Sequence, residues 1–256
     1  MKLERVEIEN YRAIEKLDLP LNPGLTVLHG DNAHGKTSVL SAIATGLGSI
    51  PMLLPDVSSV GFRKTDGRGS RQLRVGLTAV DGVAWDRNGP VPRGLRRRRR
   101  IYGPGLKDAM EAIVNADREK TGPLDLPIVA FYDTDRAVFD QPQRRKGLKT
   151  EFPRYAALQG ALSARTDFRD FFKWFYVREN EELREQRERL DFSHGLNDLK
   201  VVRRAIEAMV PEVSDPRIEL RPLRFVVSVQ PDGGKPEQLS IDQLSGGYRI
   251  VLALAA

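Results

Sequence analysis

The stretch Gly30-Asp31-Asn32-Ala33-His34-Gly35-Lys36-Thr37-Ser38 fits the phosphate-binding loop pattern of Gly, four residues, then Gly-Lys-Thr. Its two glycines allow a tight turn in which successive backbone N–H groups converge on one phosphate. Lys36 supplies a cation for the β- and γ-phosphates, and the Thr37 hydroxyl supplies a ligand for Mg²⁺. The predicted nucleotide site consists of Gly30, Asn32, Gly35, Lys36, Thr37 and Ser38.

Both flanks of this loop support the same interpretation. Residues 25–29, Leu-Thr-Val-Leu-His, are an apolar run that predicts a buried strand leading into the loop. Residues 37–47 predict a helix whose positive N-terminal end faces the phosphates. A chance glycine-rich turn between a strand and a helix is the alternative. The order of strand, loop, Lys-Thr and helix favours the phosphate-binding loop.

The composition indicates a folded protein without disulfides. The chain has 256 residues, 40% hydrophobic and 30% charged, so it can bury a sizeable core in one large or two small domains. Cysteine is absent, which excludes disulfides and Cys-ligated metals and suits the reducing cytoplasm. The charged N-terminus is unlike a secretory signal, and no apolar run is long enough to span a bilayer. We therefore expect a cytoplasmic protein, and its net charge of +6 permits binding to polyanions.

The N-terminal part predicts an antiparallel β layer within an α/β protein. Alternation predicts strands at residues 2–9 and 16–19, and a hairpin over 73–86 that turns at Asp81-Gly82. This layer can lie beside a nucleotide base. Arg12, at a strand end, either contacts that nucleotide or is a solvated arginine.

Two basic clusters predict contact with nucleic acid. The first contains Arg96, Arg97, Arg98, Arg99 and Arg100 in succession, and the second contains Arg144, Arg145 and Lys146. Like charges in a run repel one another, which predicts an exposed loop. Such a loop either contacts the phosphate backbone of DNA or RNA, is simply solvated, or docks on an acidic protein.

The rest of the chain predicts further strands and helices. An apolar run at 127–132 predicts a buried central strand, and Arg136 follows its carboxyl end, where we place it at the rim of the site. Helices are predicted at 106–120, 167–190 and 199–210, and strands at 218–220, 225–229 and 238–241. The stretch Leu244-Ser245-Gly246-Gly247-Tyr248-Arg249 then leads into an apolar helix at 250–256. Its Ser hydroxyl and Gly N–H groups suit an anion at a helix start.

Three of these stretches resemble motifs of one branch of ATPases. Leu244-Ser245-Gly246-Gly247 resembles the signature motif of ABC-type ATPases, and Asn10-Tyr11-Arg12 resembles the Asn-aromatic-Arg of RecF, SbcC and SMC-type ATPases. Residues 131–136, Phe-Tyr-Asp-Thr-Asp-Arg, are similar to Tyr-Tyr-Gly-Thr-Asn-Arg in a family of bacterial ATPases of this branch. That family includes or neighbours the ATPases of the Septu and retron anti-phage systems. Asp133 replaces its Gly, and Ala33-His34 replace the commoner Gly-Ser of the loop.

The resemblance implies a P-loop ATPase that uses ATP and Mg²⁺. It implies that Ser245 and Gly247 contact the γ-phosphate held by a second subunit, so that two subunits enclose two ATP molecules. It also implies a Gln that ligates Mg²⁺, for which Gln141, Gln143 and Gln159 are candidates. An Asp-Glu strand and a switch His are implied after the signature helix, and the sequence ends at Ala256 within that helix. We therefore expect a truncated ATPase that binds ATP weakly and does not hydrolyse it.

The expected fold is the ABC-type P-loop core: an antiparallel β layer, a mixed or parallel sheet flanked by helices, and a helical insertion. We predict an N-terminal ATPase lobe at 1–150, the helical insertion at 151–215 and the start of a C-terminal lobe at 216–256. The predicted function is ATP binding and hydrolysis in DNA repair or phage defence by a homodimer, with DNA and a partner nuclease as candidate partners. The alternative is a non-hydrolysing nucleotide-binding module that gates a partner nuclease. A transporter ATPase fits less well, because Asn10-Tyr11-Arg12 and Tyr248-Arg249 argue against it.

Overall fold

The computed structural model describes residues 1–69, 71–89, 105–120, 126–132, 152, 155–163, 168–210, 212–230 and 234–255. These residues fall into two compact units. The first contains the described residues up to 132 together with 155–163, and the second contains residue 152 and the described residues from 168 onward. Each unit has a hydrophobic core of its own.

The first unit is built on an antiparallel sheet. Its elements are β1 (Leu3–Tyr11), β2 (Ile14–Pro20), α1 (Lys36–Leu47), β3 (Arg74–Ala79), β4 (Ala84–Asn88) and α2 (Leu106–Glu119). The strand order is β2-β1-β3-β4, and each neighbouring pair is antiparallel. Because side chains alternate along a strand, Val6 and Ile8 of β1 face the core together with Val75 and Leu77 of β3. Burial of each of these side chains contributes about 1.5–3 kcal/mol to folding.

Helix α1 is fixed against this sheet at its C-terminal end. A Cβ atom on Gly46 would come within 2.8 Å of Leu77, so glycine lets the helix lie this close to β3. The Trp85 indole N–H donates to the Gly46 carbonyl at 3.1 Å, and the Arg87 guanidinium donates to the Thr45 carbonyl at 2.6 Å. Both bonds go to carbonyl oxygens in the last turn of α1, which also accept the backbone N–H groups of Gly48 and Ser49. They therefore fix the direction in which α1 presents its N-terminal end.

The second unit combines helices with a three-stranded antiparallel sheet. Its elements are α3 (Phe168–Arg189), α4 (Asn197–Met209), β5 (Val213–Leu220), β6 (Leu223–Val229), β7 (Glu237–Ser240) and α5 (Gly246–Ala255), and the strand order is β5-β6-β7. Phe168, Phe172 and Phe175 recur on one face of α3 at helical spacing. They share a core with Phe225 of β6, whose ring centroid lies 5.2 Å from that of Phe175. Helices and strands of this unit are thus held by one aromatic cluster.

The structure confirms most of the predicted elements. The α/β class, the N-terminal antiparallel layer, the hairpin at 73–86 and the predicted helices are present, and β5 begins earlier than predicted, at Val213. The aromatic residues of α3 form core, as their spacing predicts. The division of the chain at 150 and 215 stays a prediction. None of the helices in the described ranges has the length and hydropathy that crossing a membrane requires.

The prediction of buried strands at 25–29 and 127–132 was wrong. Neither run is paired with a strand of the described sheets, and Leu25, Val27 and Ile128 are 77%, 69% and 97% exposed. A strand needs a neighbouring strand that satisfies its N–H and C=O groups, and the described residues provide no such strand for either run. The Phe131 N–H instead donates to the Ala161 carbonyl in a loop, at 2.7 Å. Both described sheets are antiparallel, so the predicted parallel sheet is not seen in this part of the chain.

Candidate nucleotide-binding site

The loop in front of α1 has the backbone conformation that its glycines predict. Gly30 and Gly35 have φ values of 143° and 84°, which L side chains rarely adopt. No described atom lies within 4 Å of a Cβ built on either residue, so the space beside the loop is open. Ala33 also has a positive φ, 67°, a conformation that costs about 1–2 kcal/mol in a residue with a side chain. Strain of this kind clusters at ligand sites.

The backbone N–H groups of residues 32–38 form a set of unused donors. None of them donates a hydrogen bond to a described residue, and the first bond of the helix runs from the Val39 N–H to the Gly35 carbonyl at 3.0 Å. They lie at the N-terminal end of α1, where the helix dipole is positive, and the first turn contains no acidic side chain. Such a run of donors at a helix start binds anions.

Lys36 and Thr37 occupy the positions that the loop pattern predicts. Lys36 Nζ donates to the carbonyl oxygens of Gly30 and Asp31, at 2.6 Å in each case, so the ammonium lies across the loop. Its charge is therefore held beside the unused N–H groups. Thr37 is the second residue of α1 and is exposed, and its hydroxyl forms no hydrogen bond within the described ranges. The loop thus presents a cation, a hydroxyl and several N–H donors on one surface.

Thr37 and Arg12 line the same cavity of about 140 Å³, together with Ser41, Arg63 and Asp66. Pockets that enclose a drug-sized ligand measure about 300–1,000 Å³. This cavity is therefore large enough for a phosphate-sized group, while most of a nucleotide would lie outside it. It brings together two residues that the sequence predicts independently, the loop threonine and the arginine of Asn10-Tyr11-Arg12.

Arg12 is held in place by its neighbours. Its Nε donates to Asp66 Oδ1 at 2.9 Å, and its Cζ lies 5.1 Å from the centroid of the Tyr11 ring. Its backbone N–H donates to the Asp66 carbonyl at 2.7 Å, and its φ is 49°. The side chain is 29% exposed and ion-paired, so Arg12 is not a freely solvated arginine. Burial raises the pKa of the Tyr11 hydroxyl, and the Asp66 carboxylate raises it further, so Tyr11 is neutral at physiological pH.

Sequence reasoning does not identify Asp66 or Arg63. The Asp66 side chain is 2% exposed, and its Oδ2 accepts a hydrogen bond from the Arg63 backbone N–H at 2.8 Å. Asp66 lies in a stretch rich in Gly and Ser, where no periodicity marks a buried residue. Its partner Arg12 is 54 positions away, so no local pattern links the two. The one available signal, Asn10-Tyr11-Arg12, marks the arginine but not the carboxylate that holds it.

The predicted signature residues begin α5 in the second unit. Ser245 Oγ accepts a hydrogen bond from the Tyr248 N–H at 3.3 Å, which caps the helix. Gly246 and Gly247 are exposed and have no positive φ. The nearest described atom to a Cβ on Gly247 is Ser245 Oγ at 3.9 Å, and none lies within 4 Å at Gly246. None of the described residues of this unit therefore requires glycine at either position.

Several predicted site residues lie outside the described residues: Arg96, Arg97, Arg98, Arg99, Arg100, Arg136, Gln141, Gln143, Arg144 and Arg145. Gln159 is described, and its Oε1 accepts a hydrogen bond from the Ser58 N–H at 3.0 Å. It lines a separate cavity of about 290 Å³ and does not line the cavity of Thr37. In the part of the chain that the structure describes, no group of three or more His, Asp or Glu side chains could hold a metal ion.

Comparison with known proteins assigns the chain to a family. A family model described as an AAA domain matches residues 5–207, which is most of the chain. The retron Ec83 probable ATPase of Escherichia coli is 24% identical over 192 residues, which cover 68% of this chain and 34% of that protein. The DNA replication and repair protein RecF of Corynebacterium jeikeium is 44% identical over 43 residues, which cover 17% of this chain and 10% of RecF. The chain thus spans about a third or less of the length of these relatives.

One solved structure aligns over the whole chain. It is the Smc head bound to the C-winged helix domain of ScpA, which is 13% identical, with coverage of 100% of this chain and 74% of that chain and a TM-score of 0.40.

Proposed function

Because the chain belongs to the AAA domain family, we propose that it binds ATP at the loop formed by Gly30, Asn32, Gly35, Lys36, Thr37 and Ser38, as part of an ATPase that acts on DNA. The observation that carries this proposal is the set of unused N–H donors at residues 32–38, with the Lys36 ammonium beside it. A triphosphate supplies the negative charge and the acceptor oxygens that such a set binds. Lys36 also neutralises charge that develops on the phosphates during transfer.

The residues at the start of α1 fit Mg²⁺. The Thr37 hydroxyl is exposed and lines the cavity, and oxygen is the ligand that Mg²⁺ prefers. Mg²⁺ usually binds one or two protein oxygens and takes its other ligands from phosphates and water, so one hydroxyl is a sufficient protein contribution here. When bound, the ion neutralises negative charge on the β- and γ-phosphates.

Hydrolysis additionally needs a residue that orients the attacking water. Asp66 is the one carboxylate among the described residues that line the Thr37 cavity. Its Oδ1 accepts from Arg12 and its Oδ2 accepts from Arg63, so both oxygens are already used. Asp66 therefore holds the site together and does not act as the general base. The expectation that residues 1–256 bind ATP without hydrolysing it stays a prediction.

We place this activity in a cytoplasmic homodimer in which Ser245 and Gly247 of one subunit contact the ATP of the other. Support comes from the exposed glycines of α5, which none of the described residues of their own unit requires. DNA is the proposed substrate, with Arg136 at the rim of the site and the basic runs as phosphate contacts. The contributing arginines of those runs are Arg96, Arg97, Arg98, Arg99, Arg100, Arg144 and Arg145. A role in DNA repair or phage defence agrees with the similarity to a RecF repair protein and to a retron ATPase.

The second candidate function is a nucleotide-binding module that does not hydrolyse ATP and that gates a partner nuclease. The observation that favours it is the engagement of Asp66, which leaves the described lining of the cavity without a carboxylate to orient water.

Steady-state ATP hydrolysis with and without double-stranded DNA separates these functions. An ATPase acting on DNA hydrolyses ATP with a rate that DNA changes, and Lys36→Ala removes that activity. A gating module binds ATP with the same dependence on Lys36, yet produces no phosphate under either condition. Hydrolysis that is the same in the parent and in Lys36→Ala would contradict both.

A further inference from the structure

We infer that Asp66 is a positioning residue whose carboxylate holds the Arg12 guanidinium so that its two terminal nitrogens face the phosphate cavity. This inference rests on the proposed binding of ATP at the Thr37 cavity and adds a residue that acts on that site through Arg12.

Three hydrogen bonds connect Asp66 to Arg12 and to Arg63. Its Oδ1 accepts from Arg12 Nε at 2.9 Å, its carbonyl oxygen accepts from the Arg12 N–H at 2.7 Å, and its Oδ2 accepts from the Arg63 N–H at 2.8 Å. One buried residue thus fixes both the backbone and the side chain of Arg12, and ties them to the segment that carries Arg63. A buried carboxylate is costly unless it is fully hydrogen-bonded, and here both of its oxygens are bonded.

The contacts of Arg12 leave its two terminal nitrogens available to a ligand. Asp66 takes the Nε–H, and the Tyr11 ring covers a face of the guanidinium. Within the described residues, neither terminal nitrogen of Arg12 forms a hydrogen bond. Those two nitrogens carry four N–H groups in a planar fork, the geometry that matches two phosphate oxygens. Asp66 therefore orients the arginine and leaves its anion-binding edge unblocked.

A second Asp–Arg pair in the same unit, on strands β3 and β4, provides a matched control. Asp86 Oδ1 lies 2.7 Å from Arg74 Nη2, and the two side chains are 16% and 19% exposed. Neither residue lines the cavity of Thr37. Asp86→Asn therefore removes a carboxylate from a largely buried arginine of the same unit without touching the proposed site.

The test is a double-mutant cycle on ATP affinity, measured by calorimetry in the intact protein. Asp66→Asn should weaken ATP binding about five- to tenfold in the parent, the loss expected when a charged hydrogen-bond donor is no longer oriented. In an Arg12→Ala background the same substitution should have no further effect, because the residue through which it acts is missing. Asp86→Asn should leave ATP affinity unchanged. An equal loss in both backgrounds, with Lys36→Ala still weakening ATP binding, overturns the inference and leaves the proposed function intact.

A second measurement needs no substitution at Asp66 and so does not depend on the folding of that variant. The Arg12 Nε–H signal in a nitrogen NMR spectrum, assigned as the one missing from Arg12→Lys, should be protected from hydrogen exchange both without and with ATP. Rapid exchange of that signal without ATP overturns the inference. If Lys36→Ala binds ATP as well as the parent does, the proposed function fails, and this inference fails with it.

Discussion

Helices α1 and α5 both begin with or next to a glycine, yet these glycines differ in what requires them. Gly35 before α1 has a φ of 84°, so its own backbone conformation requires glycine. Gly246 and Gly247 at the start of α5 have no positive φ and no close described neighbour. The conformation of Gly35 explains the first glycine, while for Gly246 and Gly247 we propose the close approach of a group from a second subunit.

This difference suggests two separate roles: ATP binding by a single chain at α1, and association of two chains at α5. The start of α1 presents groups that suit one phosphate: unused N–H groups, the Lys36 ammonium and the Thr37 hydroxyl. At the start of α5, the Tyr248 N–H donates to Ser245 and two glycines are exposed. Arg249 is the one cation among the first four residues of this helix. We therefore expect substitutions at α1 to change ATP affinity and substitutions at α5 to change association.

The largest expected effect is the loss of ATP-dependent pairing in Ser245→Arg. A long cation at an exposed helix start blocks the close approach of a second subunit, whereas the separate loop at α1 still binds ATP. Light scattering with a non-hydrolysable ATP analogue should show a doubled mass for the parent and for Gln238→Arg, an exposed change on β7, but not for Ser245→Arg. Separate roles for α1 and α5 would be contradicted if ATP leaves the mass of the parent unchanged, or if Ser245→Arg also abolishes ATP binding.

The unit that contains α5 should also respond to pH through Glu179 of α3. Burial raises the pKa of Glu179 to about 7, and the negative charge of Glu182 raises it as well. The Ile218 N–H and the Arg203 guanidinium, which lies 3.4 Å from Glu179, lower it by less. The pKa is higher in the folded state, so the folded chain keeps a proton that the unfolded chain releases between about pH 4.5 and 7. The stabilisation from this group is complete below about pH 4.5 and is lost as the pH rises through 7, by up to about 3 kcal/mol.

Glu179→Gln should remove this pH dependence. The amide oxygen can still accept the Ile218 N–H that Glu179 Oε2 now accepts at 3.0 Å. Urea unfolding between pH 4.5 and 8 should therefore give a flatter curve for Glu179→Gln than for the parent. Glu181→Gln, the same change at a more exposed position of α3, should leave the curve as it is. Parallel curves for the parent and Glu179→Gln would show that this carboxyl is charged throughout.

A smaller effect distinguishes the glycines directly. Gly35→Ala should lose about 1–2 kcal/mol of stability, because a side chain is strained at its φ, and should weaken ATP binding as the loop N–H groups shift. Gly247→Ala should leave both stability and single-site ATP binding unchanged, because its Cβ meets nothing closer than 3.9 Å. Thermal unfolding and calorimetry on the two variants check this. Similar losses of stability at both positions would remove the distinction between the two helix starts.

The smallest expected effect concerns the arginine run at 96–100, which belongs to neither α1 nor α5. Neutralising Arg96 to Arg100 should flatten the dependence of log DNA affinity on log salt, by up to about 0.9 for each lost phosphate contact. Fluorescence anisotropy over a salt series measures that slope. An unchanged slope would show that the arginine run is a solvated loop.

The sequence predicts the parts of this fold that local patterns decide. Alternation along β1 and the Asp81-Gly82 turn are properties of a few neighbouring residues, and the structure confirms them. An apolar run such as 25–29 also matches a buried strand, but pairing depends on a neighbour that the run itself does not contain. Within the described residues no strand lies beside it, so Leu25 and Val27 are exposed.

The same limit applies to the candidate site. The Gly-Lys-Thr pattern predicts the backbone nest and Lys36 because both arise within nine consecutive residues. Asp66 cannot be predicted in this way, since its importance depends on a contact with Arg12, 54 positions distant. Patterns therefore find the residues that we propose bind the ligand, and the folded structure is needed to find Asp66, which contacts one of them.

The most direct test of the account is the calorimetric titration of ATP with Mg²⁺ into the parent, Lys36→Ala and the control Lys107→Ala. Lys107 is an exposed lysine in the first turn of α2, in the same unit as Lys36. Lys36→Ala should weaken ATP binding about 10- to 100-fold, the contribution of one charged hydrogen-bond donor. Its melting temperature should not change, because Lys36 bonds only to exposed loop carbonyls in the described structure. Lys107→Ala should bind ATP like the parent. Equal ATP affinity in a folded Lys36→Ala and in the parent would contradict the central claim that this loop is the nucleotide site.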